Sequence, residues 1–475
     1  MEKESILYIY DYKYYNSVLQ LEKLRTKQNF NVLLFCVKTP KTCYSLKEYI
    51  HFIYNKYNLK YVVLIGSVEE IPTFMKKGIN ESNNKTLYNK NVYYASSDTI
   101  YGMISNSKHS NNNSEGSMFC NYCNSRYCYG KHENACINTW KYKIIIGRLT
   151  PGDNFVYSTK ELSVSEKIQN IQNQVDKILS YESFIDSKLS GLTDDNWSQS
   201  LVGIASNEGK GAGINGLADN EYMRQELEKY HTYKKCNFTE LYQGNLAKET
   251  KNPLNSYDET GDPNEKHFVD CVNNGCSLLL YAGHANEVSL STTGFSNKNI
   301  HLLNNYNKYF LGCVVGCSFG SHDEDYMSLS ENLQVSKDKG SIAMFVSTVL
   351  QSWLPPMYMQ RKLNDTIIHS DETKTIGELF QIAVTDKTFY KSKDFWYYQI
   401  LGDPSTRFVL TAESPINNSL PLFENDDETT EDKTKLLKPI SEDEEYFDVC
   451  EENEIINKHN VFYSFFMYFL SFFKK

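Results

Sequence analysis

The sequence lacks a basic stripe. Its 475 residues include 49 Lys or Arg against 59 Asp or Glu, which gives a formal net charge of -10 at pH 7. A nucleic-acid surface requires clustered positive charge, so this composition argues against nucleic acid as the partner. A peptide or protein substrate fits the chain better.

The sequence also lacks a recognisable secretory signal. The first five residues, Met1-Glu2-Lys3-Glu4-Ser5, are charged and lead directly into an apolar stretch. A signal peptide would instead place an apolar run behind a positively charged start. We therefore expect a cytoplasmic protein whose 12 cysteines are reduced.

No apolar run is long enough to span a bilayer comfortably. The longest candidate, residues 461–473, is followed by Lys474-Lys475, whereas a spanning helix needs about 17 to 25 residues. Two interpretations stay open for the tail 461–475: an interfacial anchor in contact with a membrane surface, or a strip docked on the folded body. The preceding residues 412–460 are rich in acidic side chains and are typical of a solvated linker.

Most of the chain alternates between strand-like and helix-like patterns. Apolar runs at Ile6–Tyr10, Asn31–Cys36 and Tyr61–Gly66 predict strands, and the segments between them have helical spacing. This alternation predicts an α/β fold with a parallel, doubly wound sheet. We expect an N-terminal α/β subdomain at 1–160 and a catalytic α/β subdomain at 161–411.

Two apolar runs in the second subdomain each end in a reactive side chain. One run leads from Ser277 to His284 and the other from Tyr309 to Cys317. Each has the length of a buried strand, so both side chains are expected at the edge of a parallel sheet. A cysteine acts as a nucleophile when an imidazole accepts its proton, and the pair therefore predicts a cysteine hydrolase.

A Ser- and Asn-rich insert at 104–139 contains four cysteines. They are Cys120, Cys123, Cys128 and Cys136, with His132 close by. The composition is typical of a disordered insert that cannot bury a core, and one tetrahedral zinc bound by four thiolates would order it. The alternatives are a structural zinc site and a reduced insert whose cysteines cluster by chance. No cofactor is expected for catalysis itself.

The order of several motifs resembles that of the gingipain-type cysteine peptidases. The resemblance rests on Tyr281-Ala282-Gly283-His284, Gly316-Cys317, Ser347–Met357, Phe395-Trp396-Tyr397 and Leu401–Ser405, and further back on Leu64–Ser67, Ile71-Pro72, Ser97-Asp98, Ile146-Gly147-Arg148 and Ile204–Gly209. It covers most of residues 5 to 411. It implies a caspase-like fold in two subdomains and peptide-bond hydrolysis with Cys317 as nucleophile and His284 as general acid and base.

The resemblance also suggests which residues surround the dyad. Ala282, Val315, Trp353 and Met357 match the wall of the pocket for the residue before the cleaved bond. We expect the backbone amides of Gly283 and Cys317 to stabilise the oxyanion.

Two acidic groups of the site are not placed by the matching motifs. The group that orients His284 is unassigned, with Asp98 as one candidate. An acid that selects Arg or Lys would fall near the uncharged Asn170, with Asp323, Glu324 or Asp325 as substitutes.

Three functions follow as alternatives. The first is a cysteine endopeptidase, for which cleavage after basic residues is one possible specificity. The second is a catalytically silent scaffold or adaptor with the same fold. The third is a zinc-dependent binding module built on the insert. Rapid alkylation near neutral pH would reveal a Cys317 thiol of low pKa and favour the enzyme.

Overall fold

The computed structural model describes nine segments of the chain. They are residues 3–38, 41–79, 92–105, 140–152, 161–192, 196–244, 262–324, 326–370 and 372–410. The four insert cysteines, the acidic linker and the apolar tail lie outside them, so the predictions made for those parts stay predictions.

Eighteen strands are found in the described segments. In chain order they are β1 (Ser5–Asp11), β2 (Asn31–Val37), β3 (Leu59–Ile65), β4 (Phe74–Ile79), β5 (Val92–Ser97), β6 (Met103–Ser105), β7 (Trp140–Tyr142), β8 (Ile145–Leu149), β9 (Ser200–Ala205), β10 (Asn237–Tyr242), β11 (Leu278–Ala282), β12 (Ala285–Asn286), β13 (Ser289–Leu290), β14 (Phe310–Val315), β15 (Ser341–Ser347), β16 (Lys374–Thr375), β17 (Tyr398–Leu401) and β18 (Arg407–Phe408). Ten of them form one sheet in the order β10-β9-β11-β14-β15-β17-β8-β3-β1-β2. The other eight pair as short two-stranded ribbons.

The large sheet consists of two parallel halves that meet in opposite directions. β15 and β17 are antiparallel, whereas the other neighbouring strands of the sheet are parallel. The carboxyl ends of the two halves therefore lie at opposite edges. The segment that precedes β17 consequently reaches the same edge as the segments that follow β14 and β15.

Helices connect these strands. They are α1 (Tyr15–Lys27), α2 (Cys43–Lys56), α3 (Val164–Leu189), α4 (Asp219–Lys234), α5 (Glu265–Asn274), α6 (Leu329–Val335), α7 (Leu354–His369), α8 (Ile376–Val384) and α9 (Lys387–Tyr390), with 3-10 turns at Tyr12–Tyr14, Asp98–Gly102, Asn196–Gln199, Ile214–Gly216, Asn297–Leu302 and Asp394–Tyr397. α7 begins immediately after Trp353, and Pro355 and Pro356 stand in its first turn, where a missing amide hydrogen costs no helical bond.

Strands β9, β11 and β14 are buried on both faces. Along β11, Leu278 and Leu280 belong to one apolar cluster and Leu279 and Tyr281 to another. α4 and α7 contribute to the first cluster, whereas α5 and α6 contribute to the second. Helices thus cover both faces here, as the near-continuous apolar runs predict.

The predicted α/β class with a mostly parallel, doubly wound sheet is confirmed. The sheet runs through both predicted subdomains, because β8 from the first pairs with β17 from the second. The sequence does not predict β17, whose four residues follow an aromatic stretch and are too few to show a period.

Candidate active site

Three neighbouring parallel strands deliver polar side chains to one edge of the sheet. β9, β11 and β14 are adjacent, and their register aligns the last residues of all three. Within three residues of these ends the chain reaches Glu208, His284 and Cys317. The edge beyond the carboxyl ends of parallel strands is where α/β proteins build their sites.

The backbone of His284 is fixed by two hydrogen bonds. The Tyr281 hydroxyl donates to the His284 carbonyl oxygen at 2.5 Å, and the Ser291 amide donates to the same oxygen at 3.0 Å. The Thr292 amide in turn donates to the Tyr281 hydroxyl at 3.2 Å. The His284 side chain is nevertheless 53% exposed, so a rigid turn presents an accessible imidazole.

Glu208 lies beside His284. Its Oε2 is 2.9 Å from His284 Nε2. Glu208 is itself held, since its amide donates to Ser206 Oγ at 3.2 Å and its carbonyl accepts from the Asp219 amide at 3.0 Å. A carboxylate on Nε2 favours the tautomer that carries its proton there and leaves Nδ1 able to accept one.

Asp98, one candidate for the unassigned group that orients His284, does not contact that residue. Asp98 is buried and forms a two-pronged ion pair with Arg148, at 2.6 Å from Nε and 2.9 Å from Nη2. The Arg148 guanidinium holds the pKa of Asp98 below its usual value in spite of burial. His322 Nε2 lies 3.7 Å from Asp98 Oδ2, and Asp98 makes no contact with the Glu208–His284 pair among the described residues.

Cys317 follows β14 by two residues, and Gly316 permits the close approach of the His284 turn. A Cβ atom at position 316 would lie 2.7 Å from Ala285 Cβ and 3.3 Å from the Gly283 carbonyl oxygen. The turns that carry the thiol and the imidazole are therefore packed directly against each other.

The thiol itself is partly buried. Burial raises the pKa of Cys317 above its usual value, and the carboxylates of Asp394 and Glu287 raise it further. The Gln351 amide partly offsets this by stabilising the thiolate. These influences favour the protonated thiol in the free protein.

One of the two predicted oxyanion donors is already engaged. The Gly283 amide donates to the Val315 carbonyl at 3.1 Å, as an extension of the β11–β14 ladder, so it is not available to an oxyanion in this conformation. Within the described segments the Cys317 amide has no such partner, whereas the next amide, of Ser318, donates to Val349 at 2.8 Å. The Cys317 amide therefore stays a candidate.

The four predicted pocket residues are connected to one another or to the dyad by packing or strand pairing. Val315 and Met357 are buried in one apolar cluster, against which Trp353 packs. Ala282 is opposite Val315 in the register of β11 and β14. The Trp353 ring meets the imidazole of His284 edge to face, with ring centres 5.4 Å apart.

Asp219 lies behind Trp353 at the start of α4. Trp353 Nε1 donates to Asp219 Oδ1 at 3.1 Å, and Ser206 Oγ donates to Oδ2 at 2.7 Å. Only 2% of Asp219 is exposed, and no Lys or Arg pairs with it in the described part of the chain. Burial raises the pKa of this carboxyl, and the hydrogen bonds from Ser206 and Trp353 partly offset the increase.

A glycine keeps the approach to Asp219 open. Gly209 has φ of +77°, and a Cβ atom there would lie 2.5 Å from Trp353 Nε1. The positive φ and the close contact both favour glycine at this position.

The other acidic positions suggested by the sequence lie elsewhere. Asn170 is on α3, where its side chain donates to the Pro151 carbonyl at 2.8 Å. Asp323 Oδ1 accepts from Ser96 Oγ at 3.3 Å, and Asp325 is not among the described residues. The uncharged Asn170, near which the selecting acid would fall, is thus engaged with the backbone of Pro151.

Sequence reasoning missed Glu208 and Asp219, although a signal for Glu208 was present. The stretch from Ser206 to Gly209 follows a third buried strand, as His284 and Cys317 follow theirs. The same strand-end argument applied to β9 would have found Glu208. Asp219 begins a helix eleven positions later, and only the loop between them brings it back to Ser206.

The described segments contain no group of three or more His, Cys, Asp or Glu that could hold a metal ion. They likewise contain no helix that is both long and apolar enough to cross a membrane. The predicted zinc ligands and the apolar tail are outside these segments.

A Cys and a His at the ends of adjacent parallel strands, with a carboxylate on the imidazole, are characteristic of α/β cysteine peptidases. The chain belongs to peptidase family C25, whose model matches residues 2–409. This match confirms the resemblance inferred from the motifs.

Curated relatives support the same assignment. The chain is 24% identical over 413 residues to gingipain R2 and over 406 residues to gingipain R1, both of Porphyromonas gingivalis. These alignments cover 82% and 80% of the chain but only 44% and 32% of the two relatives. The chain thus matches less than half the length of these curated proteins.

Solved structures show the same fold. The crystal structure of the Arg specific cysteine proteinase gingipain R has a TM-score of 0.62 at 18% identity, covering 87% of this chain and 80% of that one. The complex of the pro- and mature domains of Porphyromonas gingivalis RgpB has a TM-score of 0.63 at 19% identity, covering 86% and 81%. The caspase-like fold class is therefore established.

Proposed function

We propose that the protein is a cysteine endopeptidase in which Cys317 is the nucleophile and His284 the general acid and base. The observation that carries the proposal is the convergence of Glu208, His284 and Cys317 at the ends of three adjacent strands. Glu208 supplies the orienting carboxylate that a silent scaffold would not need.

The raised pKa of the thiol shapes the mechanism. Because the free thiol is mostly protonated near neutral pH, His284 removes its proton as Cys317 attacks the scissile carbonyl carbon. The new S–C bond turns the carbonyl oxygen into an oxyanion, for which the Cys317 amide is the candidate donor.

His284 then completes the cycle. The protonated imidazole gives its proton to the amine of the breaking C–N bond, and the amine leaves. Water, deprotonated by His284, attacks the thioester, and the thiol recovers its proton as the acid product departs. Glu208 keeps the ring in one tautomer throughout and stabilises the imidazolium.

We propose further that the substrate carries Arg or Lys before the cleaved bond. Asp219 is a buried carboxylate held by two neutral donors, so a substrate cation is the missing partner of its charge. Trp353 offers an indole face to the aliphatic stem or guanidinium, worth roughly 0.5 to 2 kcal/mol. The family relation and a structural neighbour described as Arg specific support the same specificity.

A peptide library tests the activity. Wild type should cleave it, whereas Cys317→Ala and His284→Ala should each lower turnover by far more than tenfold, since a tenfold loss is only about 1.4 kcal/mol of barrier. Cys313→Ala, four residues earlier on the same strand, is the matched control and should keep its activity. Turnover of Cys317→Ala within tenfold of wild type would refute the nucleophile assignment.

The same library tests the specificity. Asp219→Asn keeps the size of the side chain and removes its charge, so cleavage after Arg and Lys should fall by about tenfold or more. Asp270→Asn, an exposed acid on α5 that pairs with Lys266, is the control. Equal cleavage after basic residues by Asp219→Asn and wild type would place the selecting acid elsewhere.

The second candidate function is a silent scaffold or adaptor with the peptidase fold. The raised pKa of Cys317 favours it, because a thiol that is mostly protonated is a weaker nucleophile. A substrate-like chloromethyl ketone with Arg at its end separates the two. If the protein is an enzyme, the reagent should label Cys317, and the rate of labelling should be lower in Asp219→Asn than in wild type. If it is a scaffold, the rate of labelling should not depend on Asp219.

A further inference from the structure

Two active-site elements share one turn. Gln351 offers its amide to the Cys317 thiolate, and Trp353, two residues later, forms the pocket wall and contacts His284. Leu350, just before them, is 50% exposed, so on this side the turn has little packing of its own. Asp219 and the apolar cluster hold Trp353, and the preceding residues of the turn need contacts of their own.

The segment at the start of β17 provides that support. Asp394 Oδ1 accepts from the Ser352 amide at 2.8 Å. The Tyr398 hydroxyl donates to Gln351 Oε1 at 2.5 Å and lies 3.1 Å from the Val314 carbonyl oxygen, which is at the end of the strand that leads to Cys317. These contacts exist because β17 runs antiparallel to β15, which brings its amino end to the edge of the sheet that holds the site.

Asp394 is also an electrostatic neighbour of the thiol. It is completely buried, and its Oδ2 makes no hydrogen bond of normal geometry in the described part of the chain. Its charge raises the pKa of Cys317, as that of Glu287 does. An amide or a hydroxyl side chain could also anchor this turn by accepting a hydrogen bond. A buried carboxylate differs from such a neutral anchor because its charge acts on the nearby thiol.

We propose that Asp394 is a positioning residue of the active site, which anchors the Gln351–Trp353 turn through Ser352 and places a buried carboxylate beside the turn that faces Cys317. The first role holds the pocket wall in register with the dyad. The second keeps the thiol protonated until His284 takes the proton during attack. The kinetic part of this proposal rests on the peptidase function, whereas the ionisation part does not.

The groups around Asp394 and Cys317 determine whether removal of the Asp394 charge raises or lowers the pKa of the thiol. Burial raises the pKa of Asp394, while the Ser352 amide and hydroxyl, the Lys393 ammonium and the Ser392 hydroxyl lower it. Removing the Asp394 charge takes away one of the two carboxylates that raise the pKa of Cys317 and leaves Glu287. The thiol pKa should therefore fall.

Two substitutions separate the two roles. Asp394→Asn retains an oxygen that can accept from the Ser352 amide but removes the charge, whereas Asp394→Ala removes both. Alkylation of Cys317 by iodoacetamide, followed across pH by mass spectrometry, reports ionisation without any turnover. Near pH 7 the Asn variant should react about three- to tenfold faster than wild type, because a larger fraction of its thiol is ionised when the pKa is lower.

Steady-state kinetics test the anchor. Asp394→Ala should lose about tenfold or more in kcat/KM on the best library peptide, because a displaced Trp353 weakens binding and orientation, and Asp394→Asn should recover most of that loss. Asp386→Asn is the control, since Asp386 likewise accepts backbone hydrogen bonds but does so just before α9.

Each outcome bears on the proposal. An alkylation profile of Asp394→Asn that coincides with that of wild type overturns the electrostatic role, and activity in Asp394→Asn as low as in Asp394→Ala overturns the anchor. A wild type without peptidase activity would refute the proposed function, yet the alkylation shift would still support or refute the effect of Asp394 on the thiol.

Discussion

At the scale of single residues, the site is built from contacts that bring together three loops. Cys317 and His284 could be predicted from sequence because each ends a recognisable apolar run. Their acidic partners are harder to predict, since a carboxylate after a strand is as common at solvated turns as at sites. The preference for Glu208 over Asp98 follows only from the distances, 2.9 Å to His284 in one case and an Arg148 ion pair in the other.

The role of Glu208 can be tested directly. Glu208→Gln keeps a side chain of similar size but removes the charge that stabilises the imidazolium, so kcat/KM should fall by about tenfold or more. Both partners are about half exposed, and solvent screens the pair, so the effect should be smaller than that of removing His284. Unfolding temperature should hardly change.

Glu221→Gln is the matched control for this substitution. Glu221 Oε2 accepts from the Ala218 amide and so caps the helix that Asp219 begins, without contact to His284. If Glu208→Gln and Glu221→Gln show the same kcat/KM as wild type, Glu208 does not orient the ring.

At the scale of elements, the long periodic segments could be predicted and the short ones could not. α1 fills the segment between the first two predicted strands, where the apolar spacing is helical. β17 has four residues, and its direction depends on pairing with β15 and β8, strands that are distant in the chain. Such pairing is a property of the whole sheet, which explains why no local pattern indicated that residues near 394 would reach the active site.

The Cys-rich insert carries a prediction of its own. We expect one structural zinc bound by Cys120, Cys123, Cys128 and either Cys136 or His132, because thiolates around one ion can order a segment that buries little apolar surface. Metal analysis of the purified protein should find about one zinc per chain. Cys120→Ser with Cys123→Ser should remove it.

A pair of free cysteines outside the insert provides the control. Cys36→Ser with Cys43→Ser removes the same number of thiols from the described part of the chain and should leave the zinc content unchanged. Less than about 0.1 zinc per chain in the wild type would count decisively against the site.

At the scale of the whole molecule, one buried ionic network joins α1, α3 and the segment that follows β17, away from the active site. Arg25 on α1 donates to Glu182 Oε1 at 2.6 Å and to Asp403 Oδ2 at 3.0 Å, with all three side chains fully buried. Arg407 binds the second oxygen of Glu182 at 2.6 Å. Since Asp403 follows β17, this network lies at the edge opposite the Cys317 turn.

Loss of one partner from this network should cost far more than loss of a surface pair. Arg25→Met would leave the carboxylate of Asp403 buried without its cation, which typically destabilises a protein by about 3 to 5 kcal/mol. Lys266→Met breaks the exposed Lys266–Asp270 pair and should cost less than about 1 kcal/mol. Urea unfolding of both variants measures the difference, and equal values would show that the network contributes little.

The same network predicts how stability responds to acid. Burial alone would raise the pKa of Glu182, but Arg25 and Arg407 outweigh it and hold the pKa below its ordinary value of 4.5. A carboxyl whose folded pKa is depressed contributes stability that is complete above its unfolded value and is lost as the pH falls through the folded one. The free energy of unfolding should therefore decrease below about pH 4.5 in the wild type, and this decrease should be smaller in Arg25→Met, where one of the two cations is gone. An acid dependence of equal size in both proteins would assign the loss of stability to other carboxylates.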